Sequence, residues 1–174
     1  MASAERSRRQ SKLQHGQERD ERLSMMSRAG KPTTLQGSCH CGGLTVVFST
    51  DQSAEDIRPR ACDCSFCQKH GAAYVSDPAG TLRLTATHAE AVHRYRQGAE
   101  AAQFQLCRQC GVLVAVTFEH QGRLYGAVNA GCLDKTPALG AAAPVSPQWL
   151  DAEAKMARWR QAWVPDVQWV IAGT

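Results

Sequence analysis

Apolar and polar residues alternate over short stretches of this chain and seldom follow the three-to-four-residue rhythm of an amphipathic helix. Residues 33–36, 44–49, 72–76, 81–85, 91–96 and 102–106 read as strands, with residues 57–62 as a shorter one. Residues 112–118 (VLVAVTF) are apolar without interruption, which suits a central strand buried on both faces. Gly122 then turns the chain into 123–129, a hairpin partner. Segments 81–85 and 91–96 are expected to pair with each other. Glycines make residues 37–43 a tight knuckle, and Asp77-Pro-Ala-Gly80 is a turn. Three prolines keep 137–147 extended. Residues 149–163 read as a helix ended by Pro165, with Leu150, Ala154, Ala157 and Ala162 as its apolar positions. The expectation is a mainly β fold of six to nine strands in small sheets, with one C-terminal helix.

Residues 1–32 show no such rhythm and read as a disordered basic tail ahead of a single domain at 33–174. The composition, 43% hydrophobic and 21% charged over 174 residues, is that of one globular domain. No apolar run approaches the roughly 18 residues of a membrane span. The basic N-terminus lacks the apolar stretch of a secretory signal, so a cytoplasmic, reducing location is expected. The net charge of +4 belongs wholly to residues 1–31, where eight Lys/Arg face four acids; residues 32–174 balance at 12 against 12. A domain gripping phosphates carries its basic excess itself, so no nucleic acid is expected for this one. The tail reads as a solvated extension or, alternatively, as an arm for anionic partners.

Eight cysteines in a reducing compartment point to metal binding or catalysis rather than disulfides. Seven of them cluster: Cys39 and Cys41 as CxC, Cys62, Cys64 and Cys67 as CxCxxC, and Cys107 and Cys110 as CxxC. Zinc takes four ligands in a tetrahedron, and two thiolate pairs on tight turns fill one closed site. Cys39/Cys41 and Cys107/Cys110 are the pairs available. A thioredoxin-like reading of Cys107/Cys110 requires a helix beginning at the cysteines, whereas a strand follows here.

Cys62, Cys64 and Cys67 supply three thiolates from one loop, the ligand count of a catalytic zinc with an open position. Zinc(II) with three thiolates carries formal −1. It is therefore less suited to generating hydroxide than to holding an incoming thiolate. The alternative is a second closed site with Cys132, His70 or Asp63 as fourth ligand. Lys69 is a candidate to offset the negative charge. His40 should point away from the first metal, and Cys132 reads as a small buried residue.

In order along the chain, Cys39-His-Cys-Gly42, Cys62-Asp-Cys-Ser-Phe-Cys67, Cys107-Arg-Gln-Cys-Gly111 and Gly131-Cys-Leu-Asp134 resemble the glutathione-dependent formaldehyde-activating and centromere protein V family. The resemblance implies small sheets around two zinc ions. It implies structural ligands at Cys39, Cys41, Cys107 and Cys110, and active-site ligands at Cys62, Cys64 and Cys67. Cys132 falls where the family has a small or hydroxyl residue, in keeping with a non-ligand. Gln148 stands where many members carry histidine. The activity implied is that of a carbon–sulfur lyase akin to an S-(hydroxymethyl)glutathione synthase: a thiol such as glutathione adds to formaldehyde or a similar small electrophile. The alternative is a non-catalytic zinc-binding interaction module of the centromere protein V type.

Overall fold

A computed structural model describes residues 32–134 and 138–172; the tail expected over 1–32 lies, but for Pro32, outside the described residues. The order is β1 (Thr33–Ser38), β2 (Leu44–Thr50), β3 (Arg60–Cys62), α1 (Ser65–Lys69), β4 (Ala73–Val75), β5 (Thr81–Ala86), β6 (Val92–Tyr95), β7 (Ala102–Cys107), β8 (Leu113–His120), β9 (Arg123–Asn129), β10 (Ala143–Val145), α2 (Ala152–Ala162) and β11 (Gln168–Ile171). They form two sheets, β1-β2-β5-β11 and β10-β3-β4-β9-β8-β7-β6. The mainly β expectation holds.

Period-two alternation explains the smaller sheet. In β2, Leu44, Val46 and Phe48 point inward and are buried, and Leu82 and Leu84 of β5 do the same opposite them. In the larger sheet β8 lies inside, between β9 and β7, is buried from Leu113 to Phe118, and pairs with β9 in the hairpin expected at Gly122. Its two faces serve different cores. Val114 joins Val46, Leu84 and Val128 in one cluster, while Val116 and Phe118 join Tyr74, Phe104 and Trp163 in another. The second face is covered by α2, whose Trp159 packs on Phe118 with ring centroids 5.3 Å apart.

Several expectations need correction. Segments 81–85 and 91–96 do not pair: β5 lies between β2 and β11, and β6 forms the edge of the other sheet against β7. A 3-10 turn at Ala89–Ala91 leads between them, and alternation within a strand carries no information about which sheet it joins. The final helix begins at Ala152 because the Asp151 carboxylate caps it, accepting the Ala154 N–H at 2.8 Å. It is not the only helix: the supposed loop of the three-cysteine cluster contains α1. Strand β11, four residues in parallel pairing with β5, was not expected, since so short a segment shows its partner only in three dimensions.

Gly37 is required by close approach. It bridges to Leu133, and Asp134 donates its N–H to the Gln36 carbonyl at 2.8 Å, so the Gly131–Asp134 segment runs along the outer side of β1. A Cβ on Gly37 would lie 1.9 Å from the Cys132 carbonyl oxygen. Gly37→Ala must therefore open this bridge and is expected to destabilise the protein by about 3 kcal/mol. A urea midpoint equivalent to less than about 1 kcal/mol of change would show that the segment yields freely.

Candidate metal centre and active site

Two matching turns build the four-cysteine set. After β1, the Cys39 N–H donates to the Leu44 carbonyl at 2.9 Å; after β7, the Cys107 N–H donates to the Val112 carbonyl at 2.9 Å. Gly42 (φ 77°) and Gly111 (φ 74°) take the left-handed conformation that lets each turn close. The turns meet across the two sheets. Their sulfurs all lie within 4.8 Å of one another, with Cys39 Sγ 3.7 Å from Cys41 Sγ and Cys41 Sγ 3.5 Å from Cys107 Sγ. A tetrahedron of thiolates about 2.3 Å from zinc spaces its sulfurs about 3.8 Å apart, so the donor set fits that ion.

Proton affinities in the set are uneven. Burial pushes the Cys39 thiol up to about 12, although the Leu44 N–H 3.2 Å from its sulfur works in the other direction. Burial also acts to raise Cys110, but hydrogen bonds from backbone N–H groups and from Cys107 and Cys41 hold it at about 6. A metal must displace the more tightly held protons, so affinity falls as pH falls.

The second set is made by a strand-to-helix transition. Cys62 ends β3, Cys64 is the N-cap of α1 and Cys67 lies within that helix. Their three sulfurs also lie within 4.8 Å of one another. Hydrogen bonding chiefly from Cys67 holds Cys62 down at about 6, and the same contact, added to by burial, pushes Cys67 up. Two neutral donors face the sulfurs: Tyr74 Oη is 3.4 Å from Cys67 Sγ and Gln97 Nε2 is 3.6 Å from Cys64 Sγ.

None of the residues weighed as a fourth ligand joins this set. Cys132 is buried elsewhere, its thiol donating to the Leu113 carbonyl at 3.2 Å and pushed up to about 11 by burial. His70 is exposed, with its ring 4.6 Å from that of Phe66. Asp63 donates its backbone N–H to Val145 and lies outside the sulfur cluster. His40 is exposed and outside the first set, as its position between two ligands suggested.

Cys62, Cys64 and Cys67 line a cavity of about 340 Å³. Apolar walls come from Phe104, Val116, Trp159 and Trp163, the two indoles stacking with centroids 5.0 Å apart. Three cations line it as well: Arg60 of β3, and Lys155 and Arg158 of α2, against one acid, Glu100. Burial and the neighbouring Arg158 charge both lower the Arg60 pKa. Lys69, the expected counter-charge, is exposed and does not line the cavity. Sequence reading missed these cations because it sought the apolar stripe of α2. The cavity-lining positions on this helix are Lys155, Arg158, Trp159 and Ala162, a mixed face whose 3–4 spacing was the available signal. Gln148 also lines the cavity.

Among the described residues no helix is long and apolar enough to cross a membrane. No curated protein matches the chain significantly. A crystal structure of a Rhodobacter sphaeroides protein is similar at 25% sequence identity, covering 62% of this chain and 99% of that one with a TM-score of 0.45. The family model described as glutathione-dependent formaldehyde-activating enzyme matches residues 34–152, well over half of the chain and spanning both cysteine sets. On that match the chain belongs to the glutathione-dependent formaldehyde-activating family.

Proposed function

We propose that this protein is a zinc-dependent enzyme of the carbon–sulfur lyase type, adding a thiol such as glutathione to formaldehyde or a similar small electrophile. The observation that carries this reading is a three-cysteine set lining a cavity, joined by no fourth Cys, His, Asp or Glu among the described residues. Cys39, Cys41, Cys107 and Cys110 would hold a structural zinc, and Cys62, Cys64 and Cys67 a catalytic one. When bound at the second set, zinc would lower the pKa of an incoming thiol and orient its sulfur.

The chain's own groups do the rest. Tyr74 and Gln97 donate to Cys67 and Cys64, withdrawing negative charge from sulfurs that must tolerate another thiolate nearby. Three cavity cations against one acid give the lining, cysteines aside, a net charge of 3 − 1 = +2, which draws in an anionic thiol. The sulfur lone pair forms the C–S bond to the carbonyl carbon as the C=O π pair moves to oxygen. That oxygen takes up the proton the thiol released, so the S-hydroxymethyl product balances thiol plus aldehyde. A reducing cytoplasm would keep the seven clustered thiols available for metal.

Cobalt substitution tests the open site. Wild type and Cys132→Ala should each bind two metal ions, and glutathione should change the cobalt absorption of both. Loss of one ion in Cys132→Ala, or a spectrum indifferent to glutathione, would sink the reading.

A further inference from the structure

Cysteines aside, three cations face one acid in the cavity lining. Among the described residues the ion pairs are His88–Glu90 and Arg123–Asp166, and neither includes Arg60, Lys155 or Arg158. Placing one guanidinium beside another in a half-buried wall, with neither in an ion pair, is unfavourable unless a ligand supplies the counter-charge. We propose that Arg60 and Arg158 together grip a carboxylate of the incoming thiol, and so set which thiols this protein accepts. The proposal rests on the thiol-capturing reading above.

Geometry supports a carboxylate held at a distance from the reacting sulfur. Arg60 and Cys62 are two apart in β3 and so share a face, their Cα atoms roughly 6.6 Å apart. Both line the cavity. One Arg60 Nη donates to Ser76 Oγ at 2.5 Å, and Ser76 donates in turn to the Ala162 carbonyl at 2.5 Å. This chain of bonds ties the Arg60 guanidinium to the last turn of α2. Arg158 lies one turn earlier on the same helix face, and its guanidinium is in neither of the ion pairs above. Two planar forks around one space match the two oxygens of a carboxylate better than ammonium groups would. Formaldehyde carries no anion, so the carboxylate must belong to the thiol. An amino-acid or short-peptide thiol fits.

The test separates the clamp from thiol capture by using a probe whose sulfur is blocked. S-methylglutathione and its diethyl ester are titrated into the zinc-loaded protein, and quenching of cavity tryptophans is read. In wild type the acid should bind about ten- to a hundredfold tighter than the ester. Arg158→Gln should reduce that preference to within about threefold, with the ester's affinity unmoved, and Arg158→Lys should restore it in part. Circular dichroism of Arg158→Gln guards against misfolding, the residue being half-buried on a helix surface. Equal binding of acid and ester by wild type would overturn the proposal, as would an undiminished preference in Arg158→Gln and in Arg60→Gln. Should free glutathione leave the cobalt spectrum unchanged while the blocked acid still binds through Arg158, thiol capture fails and the clamp stands.

Discussion

Cys107→Ala is expected to release one metal ion and to leave the domain unfolded or molten at room temperature. Cys107 closes β7 in the larger sheet, and its sulfur lies 3.5 Å from that of Cys41, in the turn between β1 and β2 of the smaller sheet. The four-cysteine set therefore joins the two sheets around the core that contains Val46, Leu84, Val114 and Val128. Structural zinc contributes apparent binding free energies of about 10–16 kcal/mol in small domains at neutral pH. A domain's net stability is about 5–15 kcal/mol, so losing this site removes a sum comparable to the whole. Metal stoichiometry and near-ultraviolet circular dichroism check it together. A mutant with an ordered near-ultraviolet spectrum and an unchanged urea midpoint would show that the sheets hold without the clip.

Cys64→Ala should do the opposite: abolish activity and leave the fold standing. The residue is half-buried, caps α1 without a side-chain hydrogen bond to the helix, and lines the cavity. Removing one of three ligands should release the second metal and lower the thiol-dependent rate, measured after subtracting the uncatalysed background, about a thousandfold. The urea midpoint should move by no more than about 1 kcal/mol, since a half-buried side chain at a cavity wall that makes no cap hydrogen bond contributes little to packing. If the midpoint instead falls as far as that of Cys107→Ala, the three-cysteine set is a second structural clip. Two metals retained with full activity would remove the set from the chemistry altogether.

The contrast between these mutants reflects where each set lies. The four-cysteine set closes on itself, with Cys39 and Cys107 buried. The three-cysteine set lies on the other side of β8, where α2 covers the larger sheet incompletely and leaves the cavity. Strand β8 thus separates a face in the core shared with the smaller sheet from a face that borders the cavity. The apolar run at 112–118 announced a strand covered on both sides, but not that its covers would differ in kind.

Local chemistry was legible in the order of residues. The CxC and CxxC turns with their glycines, the alternation of β2 and β5 and the hairpin at Gly122 depend on neighbours a few positions away, whose spacing the chain itself dictates. The grouping of seven thiols into four and three followed from the same short spacings. What required the tertiary structure were the relations between distant segments: that β5 and β6 belong to different sheets, that the four-cysteine set spans the two, and that Cys132 turns to the Leu113 carbonyl instead of a metal. The cationic wall belongs to this second group. Arg60 and Arg158 are far apart in sequence and each reads as an ordinary surface charge; only the packing of α2 on the larger sheet brings them to one cavity, because burial and pairwise distance are properties of the folded chain.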